Sequence, residues 1–295
     1  MRYTELQISG EGLDQPEFLG EPRKVFLCST PRSGSYLLCR AMINAGVGVP
    51  HEYFNPIVMR QIAPRFGLAA SLEPLRWWPR GRLDRLGFRK AERAAESDFL
   101  ARYIGELAPR RCQNGVFAAK IHFRDYLKVL DNPQGCAFLD GGLFIHLFRE
   151  DMLKQAISTR FAELTGRWGI DDAVTTPPSV NPDFFDTAGI DRSIDDLAEQ
   201  DRGWRVFLAS NGLNAMSISY ERLCKDPFAF VVAIAARLGL DANALRQGYR
   251  ETAAADSDPT LPDKGEVARR YLASRPRIKD FSGAAAVRKK EAVNG

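Results

Sequence analysis

An α/β fold built on a central parallel sheet is predicted by two observations. Four short apolar runs, at residues 25–29, 116–121, 143–148 and 215–220, are each too short for a helix, and segments of helical periodicity lie between them. The first run also feeds straight into a Pro/Gly/Ser-rich turn and a helix, in the sequence VFLCSTPRSGSYLL. Alternation of this kind is the pattern of βα units joined by right-handed crossovers.

Taken in order, the strand at 25–29 is stopped by Pro31, and Gly34 lets the chain turn without a Cβ in the way. A helix follows from Ser35 to Ala45, with Leu38, Met42 and Ala45 on one face and Gly46 as its stop. Residues 56–109 carry no strand signal and read as an inserted helical subregion that includes Trp77 and Trp78. The strands at 116–121 and 143–148 come next, and a second irregular stretch is expected over 175–191. Ile194, Leu197, Trp204, Phe207 and Leu208 recur at helical spacing. Asp226-Pro227 is an N-cap and first-turn pair for a helix that ends at Leu238-Gly239. Residues 283–295 read as a frayed tail. With no repeat and no long linker, one domain is expected over 1–295, its core spanning about 22–280.

Composition narrows the function classes. The chain has 295 residues, 45% of them hydrophobic and 26% charged, which suits a globular protein with a sizeable core. A net charge of +4 gives no overall nucleic-acid footprint, although basic residues cluster at 76–93 and 269–279. The five cysteines form no CxxC pair; Cys28 and Cys39 read as buried, reduced thiols, not as a zinc site or disulfide framework. The first residues show no apolar signal segment, and no apolar run approaches the ~18 residues of a membrane span. A soluble, cytoplasmic protein is expected.

The turn after the first strand carries the clearest chemistry. A strand leading into a glycine-bearing turn at a helix start aims backbone N–H groups and the helix dipole at one spot, where a phosphate or sulfate can sit. Ser33 and Ser35 add hydroxyls, and Arg32 adds a guanidinium able to grip an anion with two parallel hydrogen bonds. The turn lacks the GxxxxGK pattern of ATP and GTP hydrolases. Glu52, followed by Tyr53 and Phe54, lies just beyond the end of the same helix and can reach the same cleft. Strand alternation puts Lys120 and His122 on one face, while His146 reads as a satisfied core residue. Arg149 stands at a strand's carboxyl end, where open parallel sheets bind ligands, and Ser158 lies nine residues on.

Five segments in this order resemble a known family: TPRSGSYLL, GVGVPHEYF, NGVFAAKIHF, LFREDMLKQAISTRFAELTGRW and SISYERLCKDP. Together they are similar to the bacterial Stf0 (trehalose 2-sulfotransferase-like) family of PAPS-dependent sulfotransferases. The resemblance implies a P-loop NTPase-like three-layer fold with a helical insertion over the cleft, a homodimer, PAPS as cosubstrate, PAP as product, and no metal. By this resemblance Arg32, Ser33, Gly34, Ser35 and Tyr36 match the 5′-phosphosulfate loop, and Arg149 and Ser158 match the 3′-phosphate site. It casts Glu52 as the proposed general base. Lys120-x-His122, however, resembles the K-x-H of cytosolic sulfotransferases, whose histidine is the base; Glu52 is favoured because the surrounding segments match Stf0 better.

The implied reaction moves a sulfuryl group to a hydroxyl of a carbohydrate or glycolipid, with Tyr53, Phe54, Trp77 and Trp78 as candidate stacking faces for a sugar. The family pattern has no counterpart for 72–93, and it matches 258–271 only loosely, leaving Lys264, Arg269 and Arg270 as surface charges or 3′-phosphate contacts. A nucleotide kinase-like phosphotransferase and a non-catalytic PAP-binding protein are the rival readings. Nucleic acid is not an expected partner.

Overall fold

The computed structural model describes residues 8–68, 88–168, 183–241, 245 and 261–275. Its centre is a five-stranded sheet in the order β2-β3-β1-β4-β5. The strands are β1 (Arg23–Ser29), β2 (Cys112–Gln113), β3 (Val116–His122), β4 (Leu143–Phe148) and β5 (Met216–Ser219). β3, β1, β4 and β5 run parallel, as the apolar runs predict, and the short β2 adds one antiparallel edge.

Alternation along these strands splits the core in two. Phe26, Phe117 and Phe144 face one layer, where they pack with Phe99, Tyr103 and Trp204. Leu27, Ala118 and Ile145 face the other, against Leu38, Met42, Val231 and Ile234. Helices therefore cover both faces, giving three layers. The second layer is made by α1 (Ser35–Ala45) and α7 (Pro227–Arg237), whose N-cap Asp226 accepts a hydrogen bond from the Ala229 amide. Both match the sequence expectation, down to Gly46 closing α1 with φ 75°.

The insertion is helical where it is described: α2 (Pro56–Ile62), a 3-10 turn Ala63–Phe66, and α3 (Phe88–Arg110). Residues 69–87, which include Trp77 and Trp78, lie outside the described residues, as do 169–182, most of 242–260 and the tail from 276. The other helices of seven residues or more among the described residues are α4 (Pro133–Leu139), α5 (Met152–Thr165), α6 (Thr187–Ser210) and α8 (Lys264–Ala273). α6 begins at Thr187, inside the stretch expected to be irregular up to residue 191. Ile190 decides this: it is buried beside Ile157, Phe161 and Val267, so the amphipathic face runs one turn further back than Ile194.

One α6 side chain hydrogen-bonds to the strand end that matters most for the site. Trp204 is 1% exposed, and its indole N–H donates to the Ser29 carbonyl at 3.1 Å, fixing the strand end from which the anion turn departs. Among the described residues no helix is long and apolar enough to cross a membrane.

Candidate active site

The loop from β1 to α1 is the foundation of the site. Arg32 and Gly34 both adopt positive φ, 61° and 83°. That is easy for glycine and costly for arginine, so the turn stores strain at Arg32. Gln155 on α5 holds the turn by donating to Thr30 Oγ1 at 2.8 Å and to the Pro31 carbonyl at 2.7 Å. Ser33 is fully buried and its hydroxyl donates back to the Thr30 carbonyl at 2.8 Å, which makes it an internal brace of the loop. The first amides of α1 open toward the cleft, as at any helix start.

Gly34 also admits a neighbour. A Cβ built there would lie 2.3 Å from Cδ2 of Tyr220, and the Arg149 guanidinium stacks on the other part of that ring, 4.5 Å from its centroid. Gly34→Ala therefore combines a backbone penalty with a steric clash, and we expect a loss of about 1–3 kcal/mol or more in urea unfolding. Adding Tyr220→Ala should restore the steric part only.

Three cations meet beyond this turn. Arg32 Nε donates to Ser158 Oγ at 3.0 Å, and its Nη1 donates to the Trp168 carbonyl. Lys264, at the start of α8, places Nζ 3.4 Å from the same Ser158 oxygen. Burial, then the charges of Arg32 and Arg149, push the Lys264 ammonium down to about 8. Arg149 Nε is buried without a hydrogen-bond partner, with Glu221 at 3.9 Å as the nearby carboxylate. That carboxylate already accepts from the Glu150 and Asp151 amides, at 3.1 and 3.3 Å. Cations gathered at this density repel one another, and a bound polyanion would relieve all three. Sequence reasoning left Lys264, Arg269 and Arg270 undecided; the fold brings in Lys264 alone. Arg269 lies beside Asp263 at 4.0 Å, and Arg270 stacks on Phe185.

A second cluster stands at the end of β3. Because β2 stops after two residues, the edge of β3 beyond it is open to the chain after α1: His51 bridges Ala119 in parallel, and the Lys120 amide donates to the His51 carbonyl at 2.9 Å. This lays Glu52 against Lys120 and His122. Glu52 Oε1 is 2.7 Å from Lys120 Nζ and 3.1 Å from His122 Nε2, and Oε2 accepts from Asn55 Nδ2 at 3.0 Å. The two candidate bases are thus partners in one network.

Its protonation follows from geometry. His122 Nδ1 faces the Ser29 carbonyl at 3.1 Å while Nε2 faces a carboxylate oxygen, so both ring nitrogens have acceptors opposite and the imidazolium fits best. Burial alone would lower His122, but the Glu52 charge and hydrogen bond raise it above the usual histidine value. Burial pushes the Glu52 carboxyl up, and Lys120 with His122 outweighs that and holds it well below the usual carboxylate range. Glu52 Oε2 keeps lone-pair capacity beyond Asn55, whereas an imidazolium has none.

Tyr53 and Phe54 are corrected by the structure: both are fully buried. Tyr53 packs on Phe117 and donates its hydroxyl to the Val49 carbonyl at 2.5 Å, and Phe54 packs on Tyr103 and Phe138. Adjacent aromatic residues fit a core as well as a sugar face, and here the core takes both. His146 is the core residue expected, paired to Asp201 at 2.9 Å. Ser35 is buried at the start of α1, and Tyr36 is half-buried with Lys120 Nζ 5.8 Å from its ring centroid.

The family model described as Stf0 sulphotransferase matches residues 25–271. Among curated proteins, the trehalose 2-sulfotransferase of Mycobacterium tuberculosis (strain ATCC 35801 / TMC 107 / Erdman) is 22% identical over 253 residues, covering 74% of this chain and 85% of that protein. Among solved structures, the sulfotransferase domain from the Synechococcus PCC 7002 olefin synthase matches at 16% identity and a TM-score of 0.36, covering 94% of this chain and 98% of that one.

Proposed function

The chain belongs to the Stf0 sulphotransferase family, and from that premise we propose that it transfers the sulfuryl group of PAPS to a carbohydrate hydroxyl and releases PAP. The observation that carries this reading is the meeting of Arg32, Ser158, Lys264 and Arg149 beside the β1–α1 turn. PAPS presents two anionic groups, a 5′-phosphosulfate and a 3′-phosphate. The turn with Arg32 suits the first, and Arg149, Ser158 and Lys264 suit the second.

In the proposed reaction the acceptor oxygen attacks sulfur in line with the phosphate oxygen that leaves. The new O–S bond forms as the old S–O bond breaks, and the electron pair departs on the phosphate of PAP. Arg32, on the phosphosulfate turn, is assigned the stabilisation of the charge that builds on that oxygen. Glu52 takes the acceptor proton on Oε2, the oxygen with an open lone pair. Lys120 and His122 keep Glu52 ionised, which sacrifices basicity for full availability at neutral pH. The carbohydrate class rests on the trehalose 2-sulfotransferase relative.

Incubation with sulfur-labelled PAPS and a panel of sugars, without magnesium, is the direct test. Label should move to sugar with matching release of PAP. Magnesium-dependent phosphate transfer from ATP, with no sulfate transfer, would sink the reading.

A further inference from the structure

Arg40 is a buried cation that the mechanism above does not use. It lies in the middle of α1 and is 4% exposed. Its Nε has no hydrogen-bond partner, and among the described residues no carboxylate pairs with it. Its guanidinium lies over the face of Tyr36, 4.8 Å from the ring centroid. A buried charge without a counter-ion is expensive.

Tyr36 ties this cation to the site. Lys120 Nζ lies 5.8 Å from the same ring centroid and 2.7 Å from Glu52 Oε1. One half-buried aromatic ring is therefore shared by the lysine that holds the base and by the unsatisfied arginine. The ring itself belongs to the second residue of α1, at the mouth of the anion turn. A molecule whose hydroxyl reaches Glu52 would extend along Tyr36 toward Arg40.

Resting on the proposed sulfuryl transfer, we infer that Arg40 binds an anionic group on the acceptor, so that the preferred substrate is an acidic sugar bearing a carboxylate or a phosphate monoester. A planar guanidinium matches either group with two parallel hydrogen bonds. Loss of such a charged pair is expected to cost tenfold to about a hundredfold in affinity.

The test uses the full chain loaded with PAP, titrated with glucuronate, glucose 6-phosphate and trehalose, for wild type, Arg40→Gln and Arg40→Met. Binding of one or both anionic sugars at least tenfold tighter than trehalose is expected, and the comparison of glucuronate with glucose 6-phosphate tells carboxylate from phosphate. Both variants should lose this preference while PAP affinity and trehalose binding stay unchanged. Without sugar, Arg40→Met should melt at or above the wild-type temperature, since it removes an unpaired charge. A lower melting temperature for Arg40→Met with sugar preference intact would make Arg40 structural and overturn the inference. Equal or weaker binding of both anionic sugars relative to trehalose in wild type would overturn it as well. Failure of wild type to bind PAP at all would instead remove the sulfotransferase reading beneath it.

Discussion

Glu52→Gln is expected to lower kcat by about 10²–10⁴-fold while leaving PAP affinity close to wild type, the size of effect a lost general base produces. Among the described residues Glu52 touches no member of the cation cluster around Ser158, so the nucleotide site should survive. Its neighbours are Lys120, His122 and Asn55. Lys120 is 5% exposed and would lose its carboxylate partner, so the variant should also be less stable, and the rate must be read below its unfolding transition. The pH profile separates the two candidate bases. Glu52 is held below the usual carboxylate range, so with Glu52 as base kcat/KM stays flat on the acid side down to about pH 5. His122 is raised above its ordinary value, so a neutral His122 acting as base would make the rate fall on the acid side already above the ordinary histidine range. Measuring kcat/KM across this range decides between them.

Arg32→Met should reduce kcat by about 10²–10³-fold, the typical consequence of removing one preorganised donor from a developing oxyanion. It should also weaken PAP binding, because Arg32 orients Ser158 through the 3.0 Å hydrogen bond. Arg32→Lys keeps a positive charge at that place, and it should retain more of the rate than methionine does. Backbone strain does not confound the comparison, since methionine and lysine meet the same penalty at φ 61° as arginine. A kcat that is equal for Met and Lys variants would deny Arg32 an electrostatic role.

Much of the frame was legible because its signals are local. Pro31, Gly34 and Gly46 punctuate β1 and α1, and the apolar runs match β1, β3, β4 and β5 within two residues at each end. The two-residue β2 carries no periodicity and escaped notice, yet its brevity is what leaves room for His51 and Glu52 at the edge of β3. The individual site residues were nameable from motifs; their meetings were not. Glu52 and His122 are 70 residues apart in sequence, and Arg32 and Ser158 are 126 apart. No spacing rule shows that one rival base hydrogen-bonds the other, or that residues assigned to two ends of a nucleotide touch. Arg40 had no signal at all, since only burial without a partner distinguishes it from any helix-surface arginine.

Arg149, Ser158 and Lys264 are the proposed site for the 3′-phosphate of the donor. Isothermal titration of the protein with PAP and with AMP, which differ only by that phosphate, tests it most directly when repeated on Arg149→Ala. The account requires PAP to bind about a hundredfold or more tighter than AMP, as two or three charged contacts allow, and the gap to shrink at least tenfold in the variant. Equal affinity for PAP and AMP in the wild type, or a gap unchanged by Arg149→Ala, would contradict it.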